Sequence, residues 1–290
     1  HGHHRRQRQM CIRDRYRLAS NQIKAIFLEF TNKVESVSLD EAYLDVSESK
    51  HFSGSASLLA EHIRERIYNE VGVTASAGVA PNKFLAKVAS DINKPNGQYV
   101  ITPDSIANFI SGLHLRRIPG VGKVLEKKLN QLGLTKCVDV QNYCVETLVK
   151  KIGSFGYTLY QRSYGKDNRE VKESSIRKSV SVERTFSQDL DNIDTCIENI
   201  YLLIESFQER LYKLQDSYFA KAYFVKIKFN DFSQTTLERS NINTLDVDII
   251  REMYMEAWKR GSKPARLLGL GARLIPKEEC QNSIQLDLLR

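Results

Sequence analysis

Apolar residues near the start of the chain recur first at helical and then at extended spacing. Residues 18–30 carry apolar side chains three and four positions apart, which predicts a helix, whereas residues 34–46 are typical of extended chain. A second helix is predicted over residues 58–71, because its apolar positions form one face and Gly72 supplies a stop.

The next stretch alternates short strands and helices. Residues 73–80, rich in small and β-branched side chains, predict a buried strand. Pro81 interrupts it, and residues 82–90 predict a further helix. A turn at residues 94–97 and a short strand at residues 99–101 follow, so the chain up to about Gly112 is a mixed α/β region.

From residue 113 to about residue 173 the pattern is helical with short loops. Ile118–Lys123, which reads IPGVGK, separates two helical stretches. Residues 166–176 are polar and charged with few large apolar side chains, which is typical of a linker.

The last region shows the clearest periodicity, and its elements occur in the order βαββαβ. That order predicts a four-stranded antiparallel sheet with both helices on one face, so the fold class is α+β. Strands are predicted over residues 178–186, 221–230, 235–240 and 265–275, and helices over 193–214 and 247–260.

Composition and charge narrow the function classes. A net charge of +8 favours polyanionic partners, although solubility alone would also explain it. Residues 1–15 hold five arginines and one aspartate without apolar periodicity, and we leave them outside the fold as a basic head. Five unpatterned cysteines indicate a reducing compartment, and no apolar run is long enough for a membrane span. We therefore expect a cytoplasmic monomer.

Asp40 and Glu41 are adjacent carboxylates in an otherwise apolar, strand-like run. Neighbours on a regular strand point to opposite faces, so both converge on one site only if the chain starts or bends there. Two converging carboxylates would suit Mg²⁺ and phosphoryl transfer. A pair of solvated edge charges fits the same spacing, and the residues alone leave both interpretations open.

Two long motifs resemble the palm of Y-family translesion DNA polymerases, in the polymerase IV (DinB-like) branch. They are Ser38–Val46, SLDEAYLDV, and Thr74–Ser90, TASAGVAPNKFLAKVAS, which is followed by DINKPNG. The resemblance implies that Asp40 is a metal ligand and that Glu41 is the active-site acid, which supports a metal at the primer 3′-hydroxyl. It also implies that Lys94 pairs with the triphosphate of the incoming nucleotide, and that two Mg²⁺ ions act in the intact site.

The resemblance extends over residues 16–290 and lacks the first palm strand with its metal-ligating aspartate, as well as the fingers. Asp14 lies in a basic run and is no substitute, and Asp45 and Asp91 are interpreted as structural or solvated. Two-metal chemistry needs its full ligand set. We therefore expect an N-terminally truncated chain that is inactive as a polymerase on its own.

Two further regions resemble the DNA-binding parts of the same family. IPGVGK has the form of a helix-hairpin-helix, in which glycines allow close backbone approach and helix-start amides bind phosphate. Residues 177–185, RKSVSVERT, and 231–236, DFSQTT, resemble the little finger, where hydroxyls and cations can hold phosphates without reading bases. An ordinary helical turn and a plain solvated sheet face remain the alternatives. The candidate DNA-binding residues are Pro119, Gly120, Val121, Gly122, Lys123, Arg177, Ser179, Ser181 and Arg184.

The C-terminal QLDLL resembles the peptide that docks into the bacterial sliding clamp. A terminal tail with apolar anchors can insert into a preformed pocket. The candidate clamp-binding residues are Gln285, Leu286, Leu288 and Leu289.

These features predict an error-prone translesion DNA polymerase whose partners are primer-template DNA, deoxynucleoside triphosphate and sliding clamp. One alternative is a non-catalytic DNA- and clamp-binding module. Another is a helix-hairpin-helix repair nuclease or ligase component, which would leave the βαββαβ region and the tail unexplained. The expected organisation is a basic head at 1–15, a partial palm at 16–112, a thumb with linker at 113–175, a little finger at 176–276 and a tail at 277–290.

Overall fold

The computed structural model describes residues 2–173, 176–240 and 246–278, with side chains from residue 14 onward. The chain divides into two compact units, His1–Ser174 and Ser175–Arg290. Each unit has its own hydrophobic core.

The first unit begins with one long helix and two small sheets. The helix starts at Gly2, so the backbone of the basic head is helical. Strands β1 and β2 form an antiparallel hairpin, and β3 and β4 pair in parallel. The elements are α1 (Gly2–Leu28), β1 (Val34–Ser36), β2 (Ala42–Leu44), α2 (Ala56–Val71), β3 (Ala77–Val79), α3 (Lys83–Ser90) and β4 (Gln98–Val100).

Two predicted extended segments differ from the structure. Residues 34–46 form a hairpin rather than one extended run, because the chain reverses between β1 and β2. The buried strand expected at residues 73–80 is confined to β3, and β3 is only half-buried. The predictions for α2 and α3 are confirmed, including the stop at Gly72, whose φ of 75° is left-handed.

Helix α3 is held firmly against β3. Asn82 caps it by accepting a hydrogen bond from the Leu85 N–H at 3.0 Å. Phe84 and Leu85 are completely buried on its inner face. Gly78 of β3 permits the close approach, because a Cβ there would lie 2.0 Å from the carbonyl oxygen of Ala86. The outer face of α3 is thereby fixed in position.

The rest of the first unit is a set of short helices. Phe84 and Leu85 of α3 belong to the same hydrophobic cluster as Leu115, Leu148 and Leu159, so one core continues through this region. The helices are α4 (Ile106–Ser111), α5 (Lys123–Gln131), α6 (Cys137–Gln141), α7 (Val145–Ile152) and α8 (Phe155–Ser163).

Part of the predicted linker is anchored by hydrogen bonds. The Asn82 amide donates to the carbonyl oxygen of Gly165 at 2.8 Å. The Lys83 ammonium donates to the carbonyl oxygen of Glu170 at 3.1 Å, and the Lys172 N–H donates to Glu35 at 2.8 Å. This segment therefore packs against α3 and β1.

The second unit confirms the predicted βαββαβ order and the α+β class. Its strands form one antiparallel sheet in the order β5-β8-β6-β7. Helix α9 packs on β5 and β8, and α10 packs on β6 and β7. The elements are β5 (Ser179–Leu190), α9 (Ile193–Tyr212), β6 (Tyr218–Phe229), β7 (Gln234–Ser240), α10 (Val247–Lys259) and β8 (Ala265–Pro276).

The core of this unit is one continuous hydrophobic cluster. Phe207 of α9, Val225 of β6 and Leu270 of β8 are completely buried in it. Tyr254 is buried as well, and its hydroxyl donates to the carbonyl oxygen of Gly269 at 2.6 Å. No helix among the described residues has the length and apolar character to cross a membrane.

Candidate functional site

Asp40 and Glu41 lie in the turn of the β1–β2 hairpin. The N–H groups of Val37 and Ser38 donate to the carbonyl oxygen of Glu41 at 2.9 and 3.2 Å, which closes the turn. Neither carboxylate belongs to a strand. The rule that strand neighbours face opposite ways therefore does not separate them.

Asp40 is exposed and is held by two hydroxyls. The Ser38 hydroxyl donates to Asp40 at 2.5 Å, and the Tyr16 hydroxyl of α1 donates to the same carboxylate. These two hydrogen bonds, together with the charge of Lys87, lower the pKa of Asp40. Asp40 is thus ionised at neutral pH and able to bind a cation.

Glu41 forms an ion pair with Lys87 of α3. One turn earlier on the same helix, Lys83 pairs with Glu35 of β1 at 2.5 Å and lies 5.1 Å from the ring centroid of Tyr43 in β2. Lysines four residues apart share a helix face. Helix α3 therefore contacts both the strands and the turn of the hairpin through a pair of ammonium groups.

Lys94 lies close enough to the turn for the charges of both carboxylates to affect its pKa. Its ammonium pairs with Asp91 at 2.5 Å. The hydrogen bond with Asp91 is the main cause of a raised pKa for Lys94, and the charges of Glu41 and Asp40 add to it. Lys94 therefore lies within the electrostatic reach of the two carboxylates, and its direct partner is Asp91.

Asp45 is occupied elsewhere on the hairpin. It accepts a hydrogen bond from the Ser47 N–H at 3.0 Å, and Lys33 lies 3.8 Å away. These contacts support the interpretation of Asp45 as a structural residue.

The donor set of the turn fits a hard divalent cation. Mg²⁺ prefers oxygen ligands and is usually held by one or two carboxylates, with water and substrate phosphates completing its shell. Asp40 and Glu41 supply two adjacent carboxylates of this kind. Within the described residues, no cluster of three or more His, Cys, Asp and Glu side chains could hold a metal.

The IPGVGK segment forms a tight connection before α5. Gly120 has a φ of 99°, and Gly122 is the N-cap of α5. The buried side chains of Ile118 and Val121 fix the IPGVGK segment to the core. The carbonyl oxygen of Pro119 accepts a hydrogen bond from Arg162 at 2.5 Å.

The first turn of α5 is open to solvent beside a group of cations. Helix-start N–H groups lack intrahelical acceptors, so they can bind an anion. Arg162 lies under the IPGVGK segment, and burial lowers the pKa of its guanidinium. The exposed lysines of this surface are Lys123, Lys127 and Lys128.

Strand β5 divides the predicted little-finger residues between two faces of the sheet. Ser179 and Ser181 alternate with the buried Val180 and Val182, so the serines lie on the face opposite α9 and α10. Arg184 follows the register of the buried valines and lies over the ring of Phe186 at 5.6 Å.

The remaining predicted residues lie at or beyond the edges of the described regions. Arg177 is exposed, and its N–H donates to the Tyr218 hydroxyl at 3.2 Å. The predicted clamp-binding residues Gln285, Leu286, Leu288 and Leu289 are outside the described residues.

Sequence reasoning missed three residues around the turn. Ser38 and Lys87 were part of the two palm-like motifs, but their polar side chains were given no role. Tyr16 carried no motif signal at all, because its contact with Asp40 depends on how α1 packs.

Three family models match the chain. The impB/mucB/samB family matches residues 10–91, the DNA polymerase-iota thumb domain matches 116–167, and the impB/mucB/samB family C-terminal domain matches 177–288.

Curated and solved relatives cover most of the chain. A DNA polymerase IV of Ectopseudomonas mendocina is 48% identical over 93% of this chain and 77% of its own length. A DNA polymerase IV of Pseudomonas syringae pv. tomato is 44% identical over 93% of this chain and 76% of its own length. A solved Y-family DNA polymerase chimera is 26% identical, with a TM-score of 0.79 over 89% of this chain and 75% of that chain.

Proposed function

The chain belongs to the impB/mucB/samB family of Y-family DNA polymerases, and on that basis we propose a specific role for the Asp40–Glu41 turn. The family supports translesion DNA synthesis as the function. In the proposed role, the turn binds the divalent cation for nucleotidyl transfer from a deoxynucleoside triphosphate to a primer 3′-hydroxyl.

The adjacency of two accessible carboxylates in one tight turn carries this proposal. A bound Mg²⁺ would stabilise the attacking and leaving oxygens of the transfer. Asp40 would contribute an ionised ligand, which the hydrogen bonds from Ser38 and Tyr16 keep in position. Glu41 would support the ion at the primer terminus, and Lys94 would attract the triphosphate.

We propose that the chain binds primer-template DNA independently of its base sequence. Backbone amides and lysines at the start of α5 would bind phosphates on one surface. Ser179 and Ser181 on the open face of the sheet would bind phosphates on another. Arg184 lies on the other side of β5, so its contribution would be to the edge of that surface.

We propose that Gln285–Leu289 docks into the bacterial sliding clamp. Its leucines would insert into an apolar pocket of the clamp. Deleting residues 284–290 should abolish clamp pull-down while DNA binding stays intact. Retained pull-down would reject the role of this peptide.

We further propose that the 290-residue polypeptide does not extend primers by itself. Two-ion catalysis needs more oxygen ligands than the two side chains at the turn supply. A DNA- and clamp-binding module is the second candidate function, and it is favoured by the absence of a third metal-ligating side chain at the turn among the described residues. Incorporation of a labelled nucleotide by the purified polypeptide would refute the inactivity.

Mg²⁺-dependent nucleotide binding tests the role of the turn without requiring turnover. The polypeptide is bound to a primed template, and a fluorescent deoxynucleoside triphosphate is titrated with and without Mg²⁺. We expect Asp40→Asn and Glu41→Gln to remove the Mg²⁺-dependent part and to leave DNA affinity unchanged. Asp45→Ser is the control, because Asp45 lies outside the turn. This variant should retain the Mg²⁺-dependent part of nucleotide binding. Full Mg²⁺-dependent binding by both turn variants would refute the proposal.

A further inference from the structure

Lys87 occupies the carboxylate that the proposed function assigns to a metal. Its ammonium is paired directly with the Oε1 atom of Glu41. The two side chains are 28% and 40% exposed, so the pair is partly withdrawn from water. Solvent still reaches both groups and screens their charges, so the pair has the modest strength of a surface ion pair.

The scaffold around this pair gives Lys87 little freedom to lie elsewhere. Helix α3 is fixed by its Asn82 cap and by the burial of Phe84 and Leu85. Lys83, which lies one turn earlier, binds the opposite part of the hairpin through Glu35. The base of Lys87 is therefore held beside the hairpin turn.

An ammonium group and a metal cation that bind the same carboxylate compete through their charges. The ammonium of Lys87 takes up acceptor capacity of Glu41 at Oε1. Mg²⁺ approaches its oxygen ligands to about 2.0–2.1 Å, so an ion on Glu41 would lie close to this ammonium. Because the two positive charges repel each other, the Lys87 ammonium opposes binding of the ion to Glu41.

Lys94 provides a comparison within the same site. It has the same charge and lies in the field of Glu41 and Asp40, but its ammonium is paired with Asp91. Lys94 thus acts on the two carboxylates only from a distance, whereas Lys87 contacts one of them.

We infer that Lys87 is a positioning residue that competes with the divalent cation for Glu41. It holds the carboxylate while the site lacks a cation, and its positive charge opposes the ion that binds there. The inference rests on the proposed function, because it assumes that the ion binds at the Asp40–Glu41 turn.

Mn²⁺ titration, followed by the electron paramagnetic resonance of the free ion, tests the competition. An ion pair of this type contributes up to about 1 kcal/mol, which corresponds to about a fivefold change in affinity. We expect Lys87→Met to bind Mn²⁺ about three- to fivefold more tightly than Lys94→Met, which loses the same charge. Lys87→Arg should keep the native affinity. Lys87→Gln repeats the comparison if circular dichroism shows that Lys87→Met is misfolded.

A double variant separates this effect from other Mn²⁺ sites. The histidines at positions 1, 3 and 4 are common to all variants, so their binding cancels. The gain from Lys87→Met should disappear in Lys87→Met/Glu41→Gln. If Asp40→Asn and Glu41→Gln do not weaken Mn²⁺ binding, the proposed metal site is wrong. If Asp40→Asn and Glu41→Gln weaken Mn²⁺ binding but Lys87→Met and Lys94→Met bind Mn²⁺ with equal affinity, only the competition is refuted.

Discussion

Gly120 is the residue of the helix-hairpin-helix segment that least tolerates a side chain. Its φ of 99° lies where L residues are strained, and a Cβ would stand 2.7 and 2.8 Å from the Cε2 and Cζ atoms of Phe155. The backbone strain costs about 1–2 kcal/mol, and displacing a packed ring costs about 1–3 kcal/mol. We therefore expect Gly120→Ala to lower the free energy of unfolding of the first unit by about 2–5 kcal/mol.

The assay is thermal unfolding followed by far-ultraviolet circular dichroism. For a unit of this size, a loss of about 2–5 kcal/mol lowers the midpoint by about 4–20 °C. Gly112→Ala is the matched control, because its φ is −87° and nothing lies within 4 Å of the added Cβ. That variant should stay within about 1 kcal/mol of the native protein.

The second unit gives an internal control for the same experiment. Trp258 is the single tryptophan of the chain and packs against Phe229 in the second unit, with ring centroids 6.0 Å apart. Its fluorescence transition should not move in Gly120→Ala. Equal stability of Gly120→Ala and Gly112→Ala would refute the backbone angle and the Phe155 contact described for Gly120.

Three further predictions concern the second unit and the DNA surface. Tyr254→Phe removes the buried hydrogen bond to Gly269 and should cost about 0.5–1.5 kcal/mol in urea unfolding followed by tryptophan fluorescence; no loss would contradict the contact. Hydrogen bonds from Lys263 and from the hydroxyl and N–H of Ser233 lower the pKa of Asp231 to about 2, so the stabilisation from this carboxylate is present above the unfolded value of 3.8 and is lost as the pH falls from 3.8 to about 2. Asp231→Asn should flatten the pH dependence of unfolding in that interval, and an unchanged profile would count against this assignment. Lys123→Ala should weaken binding to primed DNA of any sequence and reduce the salt slope by about one, whereas an unchanged slope would remove this lysine from the phosphate contacts.

The second unit was predictable from sequence because its elements are long and strongly periodic. Apolar and polar residues alternate clearly along β5, and α9 and α10 present continuous apolar faces to the sheet. Burial of one face fixes the direction of every side chain in such a strand. The same rule should have separated Arg184 from Ser179 and Ser181, because they differ in parity along β5.

The hairpin that carries the candidate site was not predictable in the same way. Its turn has no glycine or proline between Val37 and Glu41, so the two strongest turn signals are missing. Ser38 and Asp40 are turn-favouring residues, but alone they did not locate the turn. The strands on either side have only three residues each, which is too short for a clear alternation. Its identity as a site came from the resemblance of the two palm-like motifs.

Local sequence patterns did not predict the polar contacts between residues far apart in the chain. Lys83 and Glu35 are 48 positions apart, and Lys172 reaches Glu35 across 137 positions. Composition indicated a linker after residue 165 because it measures only the local density of apolar groups. The anchoring of that segment depends on which distant side chains meet in the fold.

The location of the divalent cation tests the central claim most directly. Fe²⁺ takes the place of Mg²⁺ in the polypeptide, and ascorbate with peroxide then cleaves the backbone near the bound ion. We expect cleavage within the turn between β1 and β2 that Mg²⁺ suppresses and Asp40→Asn abolishes. Cleavage that is absent from the turn, or that persists there unchanged in Asp40→Asn, would contradict the assignment of the Asp40–Glu41 turn as the cation site.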